Sequence, residues 1–182
     1  MKFVSPIRDK SKIKEIRDLL KDRNKRDWFL FSLGISTGLR ISDLRTLRVS
    51  DVEDKTHITI KEQKTKKRKK IKLNESVRAM IVEYIQDMNE DDYLFKSRQG
   101  NKPLGRNQCG NIISAIGKEV GLDSLGTHTL RKSFGYWHYK EFKNIAILMT
   151  IFNHSSQSVT MKYLGIEQDE MDATLDDFDL LG

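Results

Sequence analysis

The spacing of apolar residues in this chain follows a helical period almost throughout and changes to a strand period in one stretch. Within residues 10–22, Ile13, Ile16 and Leu20 recur at the three- and four-residue intervals of an amphipathic helix. Residues 56–73 instead contain two short alternating runs separated by a lysine-rich segment, which predicts a two-stranded hairpin with a basic tip. The chain is therefore expected to be mainly α with a small antiparallel β-sheet, an α+β fold.

Further helices are predicted wherever the longer period returns. Ser11 is a suitable N-cap for the first helix. Gly38 lies just before Arg40, where one helix can end and another begin. The remaining helical segments are 28–35, 41–47, 75–88, 106–120, 128–141, 143–152 and 156–164. We find no internal repeat or low-complexity linker, so these segments are expected to form one domain.

Length and composition are consistent with that expectation. The chain has 182 residues, of which 37% are hydrophobic, enough for a core. No apolar run reaches the roughly 18 residues that a transmembrane helix needs. A single cysteine, Cys109, excludes an intrachain disulfide and fits a reducing compartment, so we expect a cytoplasmic protein. Cys109 itself is interpreted as a small core or surface residue.

Charge is distributed unevenly along the chain. The net charge is +7, yet residues 167–182 contain seven acidic residues and no lysine or arginine. The rest of the chain therefore carries all 33 basic residues and 19 of the 26 acidic ones, an excess of 14 positive charges. Such a basic body favours a polyanionic partner.

The acidic tail also carries Met171, Leu175 and Phe178 at helical spacing, followed by the apolar residues Leu180 and Leu181. A docking helix requires such a stripe, whereas a solubilising tail does not. Three roles of the tail remain open: it could dock on a neighbouring copy, shield the basic face or complete the chain's own core.

A set of six residues from distant segments carries the chemistry needed to attack a phosphodiester. Arginine suits phosphate because its planar fork donates two parallel hydrogen bonds and keeps its charge. Two arginines could neutralise the charge that builds up in a pentacoordinate transition state. The set comprises Arg40, Lys64, His128, Arg131, His154 and Tyr163.

Tyrosine is a weak nucleophile at its ordinary pKa of about 10, so Tyr163 would need a base to accept its proton. His128 could be that base, and its spacing of three from Arg131 places both on one helix face. The departing DNA hydroxyl needs an acid, which a lysine on the basic hairpin could supply. Lys61, Lys66 and Lys67 compete with Lys64 for this role.

In these sequence contexts, the six residues resemble the active-site pattern of the tyrosine recombinases, the phage-integrase family. Arg-Ile-Ser-Asp-Leu-Arg-Thr-Leu from Arg40 is similar to the first family box, and Thr-His-Thr-Leu-Arg-Lys-Ser from Thr127 is similar to the second. Gln-Lys-Thr-Lys-Lys-Arg from Gln63 resembles the family's hairpin. His154 and Tyr163 have the spacing of the family's last histidine and its nucleophile. The resemblance spans residues 26–166.

The resemblance implies a site-specific recombinase that cleaves and rejoins double-stranded DNA. It implies that Tyr163 attacks the scissile phosphate to give a 3′-phosphotyrosyl bond and a free 5′-hydroxyl. Arg40 and Arg131 would bind the phosphate, His154 would donate a hydrogen bond to it, and Lys64 would be the acid. No metal, ATP or other cofactor is implied. The partners would be DNA in the nucleoid and further copies of the chain, as a dimer or tetramer.

Two departures from the family pattern are visible. The family usually has glycine before the last histidine, whereas this chain has Asn153, which tolerates the left-handed conformation better than most residues. Only about 25 residues precede the catalytic pattern. We therefore divide the chain into a lead-in, residues 1–25, a catalytic domain, 26–166, and a tail, 167–182. It would be an excised catalytic domain or a minimal relative.

Two other functions use similar residues. A type IB topoisomerase would relax DNA with a related catalytic set, and a non-enzymatic regulator derived from an integrase would only bind it. Several further residues are interpreted as structural. Asp43 is expected to support a nearby basic group or cap a turn, and the core or structural residues include His57, His138, Trp28 and Trp137.

Overall fold

The computed structural model describes residues 4–176 and residue 178. Its helices are α1 (Lys10–Arg23), α2 (Lys25–Thr37), α3 (Ile41–Leu44), α4 (Glu75–Ile85), α5 (Arg106–Glu119), α6 (Thr129–Phe142), α7 (Ile145–Phe152), α8 (Gln157–Leu164) and α9 (Glu167–Asp176), with a 3-10 turn at Val49–Asp51. Two strands, β1 (His57–Lys61) and β2 (Arg68–Lys72), lie between α3 and α4. The predicted mainly α fold with a small antiparallel sheet is confirmed.

The first helix begins at a different cap from the predicted one. Asp9 is the N-cap, in an extended conformation, and its carboxylate accepts hydrogen bonds from the backbone amide and the hydroxyl of Ser11, both at 2.7 Å. The prediction that Ser11 caps the helix was therefore wrong. A carboxylate two residues earlier is a stronger acceptor, and its charge also suits the positive end of the helix.

The hairpin forms as the alternating pattern predicts. β1 and β2 are antiparallel, with Ile58 opposite Ile71 and Lys61 opposite Arg68. Ile58 is fully buried, so one face of the sheet packs on the core. Glu62 follows β1 in the same alternation and is also buried, at 1% exposure. The inner face of the hairpin therefore ends in a charged residue.

Helix α2 lies at the centre of the larger core cluster. Its Phe29, Leu30 and Leu33 are fully buried. It packs against α6 closely enough that a Cβ on Gly34 would lie 2.5 Å from Leu130. Gly38 then ends α2 in the left-handed conformation. This packing brings the loop after α2 next to the first turn of α6.

A smaller core cluster joins α6 to α7 and α8. Leu148, Phe152 and Leu164 are fully buried in it. Helix α9 follows Ile166, which is also buried, and contacts α8. The predicted helix in the tail is confirmed for residues 167–176, whereas Phe178 lies after its end and Leu180 and Leu181 lie outside the described residues.

Several residues that were interpreted as structural lie in or next to the two cores. Cys109 and Trp28 are buried in the core, as expected. Trp137 donates a hydrogen bond to the carbonyl oxygen of Ile7, and His138 lies between the rings of Phe134 and Phe142. Across the part of the chain that is described, no helix has the length and apolarity to cross a membrane.

Candidate active site

Two arginines from separate parts of the chain converge on one backbone carbonyl. Arg40 lies between α2 and α3, and Arg131 lies in the first turn of α6. Their Nη2 atoms donate to the carbonyl oxygen of Phe152, at 3.3 and 3.0 Å respectively. Arg131 also donates from Nη1 to the carbonyl oxygen of Gly38, at 2.6 Å. The end of α7 thus orients both guanidinium groups, and the end of α2 also holds that of Arg131.

Arg131 is only 3% exposed. Burial is the main reason that its pKa falls to about 10, and the charge of Arg40 lowers it further, while Tyr163 and Glu62 oppose this fall. The side chain still carries its charge at neutral pH. A cation withdrawn from water in this way gains strongly from an anionic ligand.

Tyr163 lies on α8 between the two predicted histidines. Its hydroxyl is 3.4 Å from Nδ1 of His128, and its ring centroid is 5.2 Å from that of His154. The ring of Phe152 packs against it edge-on, and the ammonium group of Lys132 lies 5.1 Å from its ring centroid. The structure therefore brings the predicted nucleophile and the predicted base into contact.

The protonation states suit transfer of a proton from tyrosine to histidine. Burial raises the pKa of Tyr163, although the charges of Arg131 and Arg40 and a hydrogen bond from Arg131 partly oppose it. Burial and surrounding cations lower the pKa of His128 below its ordinary value. The imidazole is therefore neutral at neutral pH and can accept a proton, while Tyr163 remains a phenol.

His154 is also neutral. Burial, followed by the charges of Arg131, Arg40 and Lys64, lowers its pKa to about 4. Its Nδ1 is 3.0 Å from the hydroxyl of Thr160, which orients the ring. A neutral imidazole oriented in this way can donate one N–H to a phosphate oxygen.

Asn153 adopts the left-handed conformation that its position was expected to require, with φ 52° and ψ 48°. It ends α7 and turns the chain directly into His154. Its side-chain oxygen accepts a hydrogen bond from Nζ of Lys67, at 3.1 Å. An asparagine here therefore adds a contact with the hairpin that a glycine could not make.

The basic hairpin tip lies over the same site. Lys64 is exposed, and its charge contributes to the lowered pKa of both His128 and His154. The next residue back, Gln63, donates its backbone amide to Oδ1 of Asp43, at 2.9 Å. Asp43 thus supports a turn of the hairpin, one of its two predicted roles.

The competing lysines have other positions. Lys67 bonds to Asn153, Lys61 pairs with Arg68 within the sheet, and Lys66 occupies the tip in a left-handed conformation. Lys64 is the lysine of this group whose charge contributes to the shifts of both histidines. The assignment of Lys64 as the acid remains a prediction.

Sequence reasoning missed two charged residues, Glu62 and Lys69. Nη1 of Arg40 lies 2.6 Å from Oε1 of Glu62, and Nζ of Lys69 lies 3.9 Å from the same oxygen. Glu62 continues the inward alternation of Ile58 and Ile60, and Lys69 shares the inward face of Ile71. A charged residue at an inward position was the signal that could have revealed both.

The described residues contain no cluster of three or more histidine, cysteine, aspartate or glutamate side chains arranged to bind a metal ion. The cations of the site are instead arginine and lysine side chains. The arrangement can bind a phosphate diester through Arg40 and Arg131 and present the hydroxyl of Tyr163 to it.

Two convergent arginines, two neutral histidines and a tyrosine thus lie together on a mainly helical fold, as the resemblance to the tyrosine recombinases predicts. The model of the phage integrase family matches residues 9–170. The chain belongs to this family. The matched range begins before residue 26 and includes α1, which packs against α2.

Two relatives illustrate the range of similarity. A probable integrase/recombinase, YoeC, from Bacillus subtilis is 49% identical over 169 residues, which is 93% of each chain. Tyrosine recombinase XerA from Pyrococcus furiosus is 28% identical over 155 residues, 83% of this chain and 54% of its own. The chain thus spans nearly all of the first relative and about half of the second.

Solved structures show the same fold. A crystal structure of XerA recombinase has a TM-score of 0.76 at 20% identity, over 95% of this chain and 63% of its own. The catalytic domain of bacteriophage HP1 integrase has a TM-score of 0.66 at 20% identity, over 98% and 97% of the two chains. The chain therefore has the catalytic-domain fold of the family.

Proposed function

We propose that this protein is a site-specific recombinase that cleaves and rejoins double-stranded DNA through a covalent bond between Tyr163 and a 3′-phosphate. The observation that carries the proposal is the contact between the hydroxyl of Tyr163 and His128, next to the paired guanidinium groups of Arg40 and Arg131. The XerH site-specific recombinase, whose crystal structure bound to palindromic difH substrate has a similar fold, supports DNA as the partner.

In the cleavage step, His128 accepts the proton of Tyr163 as the phenolate oxygen attacks the scissile phosphorus. Arg40 and Arg131 bind the non-bridging oxygens and stabilise the added charge, and His154 donates a further hydrogen bond. The bond from phosphorus to the 5′-oxygen breaks, and Lys64 protonates that oxygen. The phosphotyrosyl bond keeps the energy of the broken one, so rejoining needs no ATP.

A direct test uses a DNA duplex with a nick close to the scissile phosphate. Cleavage then releases a short fragment with a 5′-hydroxyl, which diffuses away and prevents rejoining. The protein should then accumulate as a covalent DNA adduct that survives denaturing electrophoresis. The same yield is expected with excess chelator, because arginines take the place that a metal would have in charge neutralisation. A strict requirement for added magnesium, or the lack of any adduct, would contradict the proposal.

Lys64 can be tested separately as the acid. Lys64→Ala should slow cleavage of ordinary DNA, whereas a substrate with sulfur in place of the 5′-bridging oxygen should be cleaved at nearly the wild-type rate. A thiolate leaves without a proton, so the missing acid no longer matters. Lys66→Ala, at the exposed tip, is the matched control and should behave as wild type on both substrates. An equal deficit of Lys64→Ala on both substrates would remove the assignment.

Recombination rather than relaxation is proposed because YoeC, of almost the same length as the aligned region, is named as a probable integrase/recombinase. A topoisomerase would relax supercoiled plasmid without a partner site. A recombinase would join two sites, and a DNA-binding regulator would do neither. Measuring both products with one plasmid carrying two copies of the target site distinguishes the three functions.

We also propose that the tail docks on a second copy. Ion pairs from Arg8 to Asp169, at 3.0 Å, and from Lys143 to Glu170, at 3.5 Å, attach the beginning of α9 to its own domain. Met171, Leu175 and Phe178 remain 48%, 67% and 63% exposed. These observations favour docking over completion of the chain's own core, and the pairing of acids within the chain weakens autoinhibition.

The double variant Met171→Ser/Leu175→Ser should cleave a single site at the wild-type rate but should assemble less well into a complex of two DNA-bound copies. The apolar contact would be lost without loss of the fold, because both side chains are exposed. Ala173→Ser, also exposed on α9, is the control. Sedimentation of the protein with two-site DNA measures assembly. Unchanged assembly would exclude docking, and tighter DNA binding at low salt would favour autoinhibition instead.

A further inference from the structure

Glu62 is a carboxylate buried within a cationic site. It is 1% exposed, and its two oxygens have different partners. Oε1 lies 2.6 Å from Nη1 of Arg40. Oε2 accepts a hydrogen bond from the hydroxyl of Thr65, also at 2.6 Å. One side chain therefore contacts both the first arginine of the site and the tip of the hairpin.

The contact with Arg40 is an ion pair that holds one end of its guanidinium group. Nη1 faces Glu62, while Nη2 donates to the carbonyl oxygen of Phe152. These partners lie on segments 90 residues apart in the chain, and together they orient the plane of the fork. Bidentate binding of a phosphate depends on that plane, so a rotation of Arg40 would weaken it.

The contact with Thr65 determines the position of the hairpin tip. Thr65 directly follows Lys64 in the chain. The backbone amide of Lys66 donates to the carbonyl oxygen of Glu62, at 2.9 Å. The backbone amide of Glu62 donates to the carbonyl oxygen of Lys67, at 3.0 Å. The backbone around Glu62 thus closes the turn that carries Lys64, and its side chain fixes the inside of that turn.

We propose that Glu62 is a positioning residue whose two carboxylate oxygens fix Arg40 and the Lys64-bearing hairpin tip relative to each other. The inference rests on the proposed function, because it assigns Glu62 to the geometry of the same cleavage step. Glu62 itself does not contact the reacting groups. It acts through the arginine that binds the phosphate and through the lysine that protonates the leaving oxygen.

The surrounding charges keep Glu62 ionised. Burial alone would raise its pKa, but the hydrogen bond from Thr65 and the charges of Arg40, Lys69 and Arg131 outweigh burial and lower it. Lys69 is the second cation near Oε1, at 3.9 Å. Burial and the charge of Arg131 lower the pKa of Lys69 to about 8, against the opposing charge of Glu62. Glu62 therefore retains a cationic neighbour when Arg40 binds a phosphate.

A carboxylate buried beside an arginine could instead be purely structural. In that case its loss would lower the stability of the domain and slow every substrate by the same factor. The positioning role predicts a dependence on the leaving group. The sulfur substrate needs no acid, so it removes the contribution of the hairpin tip and leaves the contribution of Arg40.

Three variants test the proposal with the nicked substrate in its oxygen and sulfur forms. Glu62→Gln keeps the shape of the side chain but removes the charge that faces Arg40. Thr65→Val keeps the shape of Thr65 but removes the hydroxyl that bonds to Oε2. Glu53→Gln makes the same change as the first variant at an exposed position after the 3-10 turn, and it is the control.

We expect Glu62→Gln to cleave the oxygen substrate about 10²-fold more slowly than Glu53→Gln, since small displacements of a catalytic group have effects of that size. The sulfur substrate should recover only part of this loss, because Arg40 remains misplaced. Thr65→Val should cleave the oxygen substrate roughly 5- to 10-fold more slowly than the control, in keeping with the loss of one hydrogen bond. On the sulfur substrate, Thr65→Val should cleave at the same rate as the control Glu53→Gln.

Two results would overturn the inference. The first is a Glu62→Gln protein that matches the control on both substrates. The second is a Thr65→Val protein that is slow on oxygen and equally slow on sulfur. If Glu62→Gln melts below the assay temperature, Thr65→Val alone decides. A wild-type protein that forms no adduct would instead contradict the proposed function, so the two failures are distinguishable.

Discussion

Tyr163→Phe is expected to abolish the covalent DNA adduct and to leave DNA binding nearly unchanged. The variant keeps the ring that packs against Phe152 and His154, with centroids 5.7 and 5.2 Å away, but it lacks the attacking oxygen. Burial of the aromatic ring is preserved, so the fold should be unaffected. Adduct formation on the nicked substrate and a separate DNA-binding titration measure the two properties.

Tyr136→Phe is the matched control, because Tyr136 is a buried tyrosine of α6 in the same core cluster. It should form the adduct at the wild-type rate. An adduct in the Tyr163→Phe protein would assign the nucleophile to another residue. Loss of binding together with loss of the adduct would instead indicate that the hydroxyl contributes to DNA affinity.

The helices and the hairpin were predictable because their apolar spacing depends only on local geometry. Ile13, Ile16 and Leu20 mark one face of α1, and the change of period at residues 56–73 marks the sheet. The cap of α1 was assigned to Ser11 instead of Asp9. Both residue types cap helices, so the choice between neighbouring candidates depends on the backbone conformation of each.

The sequence boxes identified side chains that lie together in the structure, but the contacts within the candidate site were not predictable from them. The carbonyl oxygen of Phe152 receives both arginines, and a backbone atom leaves no trace in the sequence. Glu62 and Lys69 lie in a stretch rich in charged residues, where the inward positions of a short strand are hard to distinguish. Their burial depends on the packing of the hairpin against α3, which local patterns do not encode.

The position of Asn153 shows how a departure from the family pattern can be consistent with the fold. The left-handed backbone that favours glycine is present, and the asparagine side chain uses it to contact Lys67 on the hairpin. The residue before His154 therefore links the end of α7 to the hairpin. This link and the ion pair between Glu62 and Arg40 connect the hairpin to the end of α7 and to the loop before α3.

Removal of either arginine should have the second-largest effect on cleavage. Arg131→Ala is expected to slow adduct formation by about 10²–10³-fold, the usual consequence of losing one preorganised donor to transition-state charge. Arg40→Ala should have a loss in the same range and should also leave the buried Glu62 without its nearest cation. Its melting temperature is therefore expected to fall. Single-turnover rates and thermal denaturation measure the two effects.

The sulfur substrate separates the arginines from the acid. Both arginine variants should remain slow on it, because charge on the non-bridging oxygens builds up whichever atom leaves. Arg45→Ala is the control. Arg45 lies at the end of α3 and also donates to a backbone carbonyl, but its partner is Leu104, at 3.0 Å, and not Phe152. It should cleave at the wild-type rate. Rescue of Arg40→Ala by sulfur to the same extent as Lys64→Ala would mean that Arg40 acts mainly by positioning the hairpin, and the phosphate would then be bound chiefly by Arg131.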